Sequence, residues 1–428
     1  MSDVIQIAAL ATFVVAIIYV GMMILREWSL FGHASLRESI ERERMHSEIG
    51  DILERTRRRE EKADGAWSGF RKFRVSKKIP EAEDICSFYL EPHDRRPLPP
   101  FEPGQFLNFQ LDIPDRSKPA LPCYSLSDCA RPDYYRVTIK RQGPPPSSPE
   151  APPGVSSCHF HDRVEEGNII DVKAPKGQFF LDTVRHTPVV LIGGGIGITP
   201  VLSMLNHIVE TGSTRETWFF LGVRHGGEHV MKEHLRDISA NHKNVHIIVM
   251  YSNPRDKDTL GDDFTEEGRV SVDLFKRVLP SNNYDYYFCG PPPMMNALFE
   301  DLRDWEVPEV KIHYEAFGPA TVGKKKEADH QAPDSSFVSS DDSKKFDITF
   351  SRTGKTLKWD PTAHSLLRFA LDNNVVIDHS CEAGNCGSCV IALKSGELEY
   401  MSDPAETAEA GTCYTCITIP KGPVDIDA

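Results

Sequence analysis

The rhythm of hydrophobic and polar positions changes several times along the chain. It begins without a period: residues 4–25, from Val4 at one end to Leu25 at the other, form a run of 22 positions without a charge, enough to cross a hydrocarbon core as one helix. Residues 27–66 then mix Glu and Arg around a thin apolar set, Leu36, Ile40, Ile49, Ile52 and Leu53, which suits a solvated stalk better than a packed helix. From Trp67 onward, alternating runs at 70–75, 85–90, 105–111, 134–140 and 168–172 are separated by turn residues, the pattern of an antiparallel β-barrel over 67–184. Near Pro188 the period lengthens. An apolar run at 188–192 leads into a glycine turn and a helical stretch at 200–211, and strand-like runs at 218–222, 245–250 and 286–289 alternate with helical ones. This predicts a parallel, doubly wound α/β sheet over 185–319. Residues 320–345, rich in Lys, Asp, Ser, Ala and Pro, have the composition of a flexible linker with ends about 28 Å apart. The last segment, 346–428, closes on an apolar alternation after Cys416.

Composition narrows the partners. A net charge of −14 in 428 residues argues against nucleic acid. Of the ten cysteines, Cys86, Cys123, Cys129, Cys158, Cys289 and Cys413 are scattered without a disulfide framework, so a reducing cytosol fits better than secretion. The flanks of residues 4–25 agree. Asp3 precedes the run and Arg26 follows it, with Arg37, Arg42, Arg44 and Arg55 beyond, unlike the basic start and shorter apolar stretch of a secretory signal. Residues 1–26 are therefore expected to be a transmembrane helix, a single-pass anchor in an inner or plasma membrane, with the catalytic domains cytoplasmic by the positive-inside rule.

Chemistry enters at the C-terminal end. Cys381, Cys386 and Cys389 have the C-x4-C-x2-C spacing of a plant-type 2Fe–2S site, which needs a fourth thiolate. Cys413 and Cys416 both lie downstream, and Cys416, directly before the closing alternation, is favoured. Gly384 and Gly387 permit the positive φ and close approach of a loop wrapped around sulfurs. A zinc knuckle, or buried free cysteines, is the less favoured reading of these residues. On these residues the segment resembles the ferredoxin domain of plant-type ferredoxins and of phthalate dioxygenase reductase. The resemblance implies an α+β, β-grasp domain that carries single electrons.

Three further runs, Leu121-Pro-Cys-Tyr-Ser-Leu-Ser127, Gly154-Val-Ser-Ser157 and Asp171-Val-Lys-Ala-Pro-Lys-Gly-Gln-Phe-Phe180, resemble the flavin-binding elements of the ferredoxin–NADP reductase superfamily, in particular the reductase half of flavohaemoglobins. The resemblance implies that Tyr124 and Ser125 contact the flavin, joined by Gln105 and by Phe317, which would cover the ring. Gly154 and Ser157 would open a helix whose N–H groups suit a pyrophosphate, favouring FAD over FMN. Pro122 stands where the family has an arginine for phosphate, and Lys140 or Arg141 is the nearest substitute.

Gly193, Gly195, Gly197, Thr199 and Pro200 follow a predicted strand and precede a predicted helix, the context that a dinucleotide pyrophosphate requires. They match the superfamily's Gly-x-Gly-x-Thr-Pro, which implies Thr199 near the nicotinamide. Cys289, Gly290 and Pro291 match its second signature, with Cys289 and Glu315 beside the hydride path. Around Arg224 the chain is similar to flavohaemoglobins, which use mainly NADH, and Glu228, if close to the ribose, would repel the 2′-phosphate of NADPH.

Nicotinamide gives up two electrons as a hydride, a 2Fe–2S cluster accepts one, and a flavin connects the two. The combination implies a membrane-anchored NADH-dependent reductase that feeds an acceptor protein, itself membrane-bound: an oxygenase, hydroxylase, desaturase or cytochrome. Two other readings stay open, the NADH-oxidising subunit of a multi-subunit respiratory complex, against which the domain order counts, and a redox-sensing scaffold. No globin domain accompanies the reductase half, so nitric oxide dioxygenase chemistry is not implied.

Overall fold

The computed structural model describes residues 19–23, 57, 67–114, 119–144, 150, 152–317, 346–377, 379, 382, 384, 387–401, 404 and 408–428. The chain divides into two units, Met1–Glu61 and Lys62–Ala428. In the first, residues 19–23 form an exposed helical turn. The rest of the expected anchor, the stalk apart from Arg57, and the 320–345 linker lie outside the described residues. Among those residues no helix is long and apolar enough to cross a membrane.

The second unit opens with a six-stranded antiparallel sheet: β1 (Arg71–Ala82), β2 (Ile85–Pro92), β3 (Phe106–Gln110), β4 (Cys123–Ser125), β5 (Tyr135–Lys140) and β6 (Ile169–Val172), in the order β4-β3-β6-β1-β2-β5. A bridge from Leu126, just past β4, to Val137 on β5 closes it into a barrel. Phe73, Phe88, Phe109, Tyr135 and Phe160 fill its core, the last from helix α1 (Val155–Arg163). Strand β1 runs well past the predicted end at Val75. A register shift between Val75 and Lys77 breaks the apolar alternation while the hydrogen-bonded ladder continues.

The expected parallel sheet follows: β7 (Val189–Gly194), β8 (Thr217–Val223), β9 (Val245–Tyr251), β10 (Glu266–Glu267), β11 (Asp285–Cys289) and β12 (Ile312–Glu315), in the order β10-β9-β8-β7-β11-β12. Helices α2 (Ile198–Glu210) and α3 (Lys232–Asn241) cover one face, and α4 (Val272–Val278) and α5 (Pro292–Asp304) cover the other. Burial on both faces is why β7 reads as an unbroken apolar run rather than an alternation. Strand order reverses between β7 and β11, and ligands of such sheets lie at the carboxyl ends of the strands beside that reversal.

The C-terminal domain contains β13 (Asp347–Phe350), β14 (Lys355–Lys358), α6 (Leu366–Asp372), β15 (Val390–Ser395), β16 (Leu398–Tyr400), β17 (Thr412–Tyr414), β18 (Thr418–Pro420) and β19 (Val424–Ile426). Its main sheet runs β14-β13-β19-β15-β17, with β13 and β19 parallel. The apolar alternation after Cys416 is not one closing strand. Pro420 and Pro423 interrupt it, so β18 pairs with β16 while β19 enters the main sheet.

A buried carboxylate, Asp128, helps to join barrel and parallel sheet. Asp128 receives hydrogen bonds from Tyr134 Oη (2.9 Å) and Asn206 Nδ2 (3.1 Å), lies 3.7 Å from Arg136, and its backbone carbonyl accepts from Ser203 on α2 (2.6 Å). Burial alone would push its carboxyl up, but Arg136, Tyr134, the Cys129 amide and Arg131 hold it below the usual range. Replacing Asp128 by Ala strands the buried Arg136 charge and is expected to cost about 3–5 kcal/mol. Lys72→Ala, removing a solvent-exposed pair with Asp171, should cost under ~1 kcal/mol. Urea denaturation of the two variants checks the difference.

Candidate functional site

The strand reversal brings the sequence-predicted residues into a row. Cys289 pairs with Gly193 across β11 and β7, and with Glu315 across β11 and β12, so the three stand side by side at the carboxyl ends of adjacent parallel strands. The glycines have different duties there. A Cβ on Gly197 would strike the Cys289 carbonyl and Gly290, whereas Gly195 has φ of 54° and open space where its Cβ would be. Gly197 is therefore needed for packing two backbones together, and Gly195 is the position at which a ligand backbone can approach. Gly193 has no room for a Cβ against Ile198 (2.8 Å), nor Gly290 against the Met294 side chain. Thr199 is buried, its hydroxyl donating to the Ile196 carbonyl (3.1 Å), and Pro200 lies beside it in the first turn of α2. Pro291 caps α5, ahead of two more prolines, which fixes the turn that carries Gly290.

Glu315 is buried, and its Oε2 lacks a hydrogen-bond partner among the described residues. Burial pushes its carboxyl up from 4.5 to about 8, only partly offset by a hydrogen bond from Ser125. Cys289 is wholly buried, and burial, then Glu315, pushes its thiol well up. A protonated acid, a neutral thiol and a serine from the barrel thus converge where the two folds meet.

The barrel supplies the other wall. Tyr124 and Ser125 lie on β4, and the Tyr124 ring sits edge-on to Phe109 (5.8 Å) and Phe160 (5.3 Å). Helix α1 begins at Gly154 with no side-chain cap, and the Ser157 hydroxyl accepts from the Gln142 amide and donates to the Gly154 carbonyl, both at 3.1 Å. Gln105 clamps loops, its Oε1 accepting from the Glu102 amide (3.0 Å) and its Nε2 donating to the Gly177 carbonyl (3.3 Å). Phe317 is partly exposed just beyond β12. A flavin fits these walls: the partnerless Glu315 oxygen suits a polar ring atom, and the uncapped start of α1 suits a pyrophosphate.

Two expectations change. Glu228 is not an open carboxylate facing a ribose: it is buried and bound by Lys140 (2.8 Å) and Arg224 (2.5 Å). Burial alone would raise its carboxyl, but those two cations bring it down to about 2. Lys140 is thereby committed to Glu228 and does not stand in for the arginine that Pro122 replaces, whereas Arg141 pairs with the exposed Asp162. Sequence alone could not show this, because Lys140 and Glu228 are 88 positions apart.

In the C-terminal domain the Cys389 and Cys416 sulfurs lie 3.1 Å apart and are buried. Cys413, three residues away, sits on β17 opposite Ile391. Gly384 and Gly387 have φ of 74° and 75°, as the loop reading required. Cys381 and Cys386 lie outside the described residues. The donor chemistry of the converging Cys389 and Cys416 suits iron or another thiophilic metal. Beside them, Ser388 Oγ donates to the Leu121 carbonyl (3.2 Å), four residues before Ser125 on the barrel.

Residues 191–299 match the oxidoreductase NAD-binding domain family, and residues 348–421 match the 2Fe-2S iron-sulfur cluster binding domain family. A flavohemoprotein of Halalkalibacterium halodurans is 38% identical over 258 residues, 60% of this chain and 62% of that protein. A flavohemoprotein of Oceanobacillus iheyensis is 36% identical over 295 residues, 68% of this chain and 70% of that protein. The chain thus spans less than two thirds of the length of the first. Among solved structures, the flavohem-like FAD/NAD binding domain of nitric oxide dioxygenase from Vibrio cholerae is 27% identical with a TM-score of 0.52, covering 59% of this chain and all of that one. Phthalate dioxygenase reductase is 26% identical over 84% of this chain and 98% of its own, with a TM-score of 0.49.

Because Glu315 keeps its proton in the folded state to about pH 8 and an unfolded carboxyl loses it near 4.5, the folded apoprotein should lose stability as pH rises between those values, by about 1.4 kcal/mol per unit at most. Thermal midpoints against pH should show the slope in the parent chain and not in Glu315→Gln. At the other end, Cys416→Ser should abolish the iron–sulfur part of the visible absorption and leave the flavin part, while Cys413→Ser should keep both. The reverse pattern would move the fourth ligand to Cys413.

Proposed function

The chain belongs to the flavohemoprotein family through its reductase module, and we propose that it is a membrane-anchored NADH:acceptor oxidoreductase that passes electrons through FAD and a 2Fe–2S cluster to a partner protein. One continuous line of contacts supports it. Gly193, Cys289 and Glu315 stand in register, Ser125 of the barrel bonds Glu315, and Leu121 on the same barrel segment touches Ser388, next to Cys389.

Each group has a wall to hold it. The dinucleotide would lie over Gly195 and the start of α2, with its nicotinamide toward Cys289. The flavin would be held by Tyr124, Ser125, the opening amides of α1, Glu315 and Phe317, and the cluster by Cys381, Cys386, Cys389 and Cys416. Bound there, the flavin supplies the conversion of a two-electron input into one-electron output. The chain's own residues orient the donor through the glycine turn and exclude water by burying Cys289. Glu315 holds a proton at its carboxyl, within reach of the Ser125 hydroxyl.

NADH rather than NADPH is the donor on this reading. An arginine near the ribose accommodates a 2′-phosphate, but the charge of Arg224 is already offset by Glu228. Residues 4–25 anchor the chain, with the domains in the cytoplasm. The acceptor is an oxygenase, hydroxylase, desaturase or cytochrome at the same membrane.

Purified protein carrying its cofactors should oxidise NADH with ferricyanide and with cytochrome c, favouring NADH over NADPH in kcat/KM. Absence of turnover with all cofactors bound would overturn the reductase reading. The same assay on membrane and soluble fractions, with and without residues 1–26, tests the anchor: activity should move to the soluble fraction on deletion.

A further inference from the structure

The turn after β8 carries both of the side chains by which a dinucleotide sheet can tell one nicotinamide donor from the other, and it spends them on each other. Gly222 on β8 pairs with Gly194 on β7, so Arg224, two residues on, stands beside the opening at Gly195. The residues after this strand of a dinucleotide fold meet the adenine ribose, where an acid takes the 2′-hydroxyl and an arginine takes a 2′-phosphate. Here Glu228 Oε1 accepts from Arg224 Nη2 (2.5 Å), and Oε2 accepts from the Arg224 backbone N–H (3.2 Å). One carboxylate thus occupies the guanidinium and the main-chain donor of the same residue.

The carboxylate is held from its other side by the flavin barrel. Lys140, at the end of β5, donates to the same Oε1 (2.8 Å). The Glu83 amide, in the turn between β1 and β2, donates to the Gly227 carbonyl (2.8 Å), and a Cβ on Gly227 would strike the Glu83 carboxylate. Arg255 is in turn bound by Glu83 through two hydrogen bonds, of 2.6 and 2.8 Å. Lys140, Arg224 and Arg255 therefore each face a carboxylate. Arg224 is the most open of the three, its side chain 67% exposed against 29% for Lys140 and 39% for Arg255, so it is the cation that a ligand can reach.

We propose that the end of β8 is a latent 2′-phosphate site kept shut by Glu228, and that this carboxylate, seated by Lys140 of the flavin barrel, is the residue that determines which nicotinamide donor is used. The inference deepens the NADH reading and rests on it. Glu228 touches no nucleotide and acts through Arg224. The 2′-phosphate of NADPH has to take Arg224 from a buried carboxylate that Lys140 and the Arg224 amide hold in place, whereas the hydroxyl of NADH makes no such demand. This differs from direct repulsion. An open acid would exclude the phosphate by its own charge, and its removal would help NADPH whatever stands at 224; a closed one excludes the phosphate by engaging its receptor, and its removal helps only while Arg224 is there to be freed.

The test uses the full-length protein with its cofactors, ferricyanide as acceptor, and both nucleotides. Glu228→Gln keeps the size of the side chain and removes its charge, so the ratio of kcat/KM for NADPH to that for NADH should rise about tenfold, through KM rather than kcat, and the rise should shrink with added salt. Arg224→Ala in the same background should cancel it. Glu228→Asp, which keeps the charge beside Lys140 and withdraws it from Arg224, should move the ratio in the same direction, and it serves as the test if Glu228→Gln does not fold. No rise in either variant, or a rise that survives Arg224→Ala, would overturn the proposal. Calorimetry separates the site from turnover and from any loosening of the seam: 2′,5′-ADP should bind Glu228→Gln about tenfold more tightly than the parent chain, and 5′-AMP should bind both alike. An equal change for the two ligands would mean a purely structural role for Glu228 and would refute the latent site. NADH turnover by the parent chain reports separately on the reductase reading, which falls if turnover is absent while the 2′,5′-ADP gain persists.

Discussion

Much of this molecule follows from the contact of two backbones at the end of the parallel sheet. The turn after β7 and the turn after β11 approach so closely that a Cβ on Gly197 would strike the Cys289 carbonyl. That contact sets the register in which Gly193, Cys289 and Glu315 align. Any side chain at 197 would force β11 away from β7, and with it the strand that carries Glu315 toward Ser125. The opening at Gly195 and the position of the acid are thus coupled through one pair of turns, although they lie 120 residues apart in the chain.

The buried charges divide into two kinds. Asp128 and Glu228 are each bound by cations and hydrogen-bond donors, and both are held below the ordinary carboxylate range. They behave as fasteners between barrel and sheet, because a buried ion is tolerable only when it is paired. Glu315 has no cation beside it among the described residues, and its carboxyl is raised instead. A lone acid in such a place lowers stability, and perturbed groups of this kind concentrate at functional sites. The contrast within one interface is the reason to assign Glu315 to chemistry and Asp128 and Glu228 to architecture.

The sequence was most informative where periodicity and spacing act locally. The apolar runs of β7, β8, β9 and β11 and the glycine turn between β7 and α2 stand close to where their patterns place them. Short elements escaped. Strand β4 is three residues long, and β12 was visible only as a run of family-like residues. The closing run split because two prolines deny it a continuous ladder. The site residues were legible as types, but their partners were not. Tyr124 and Ser125 could be named from their motif, whereas the Lys140–Glu228 pair depends on how the barrel leans on the sheet and overturned two readings at once.

The junction between barrel and ferredoxin obeys a different rule from the junction between barrel and sheet. The latter is sealed by buried ions and by Asp128 contacts on α2, as it must be if donor and acceptor atoms are to keep a fixed separation during a hydride transfer that tolerates little misalignment. Electron transfer through the Cys389 loop needs proximity but no bond alignment. A solvated cavity and a hydroxyl–carbonyl hydrogen bond are sufficient there. The different construction of the two seams therefore follows from the number of electrons each must pass: both together across the first, one at a time across the second.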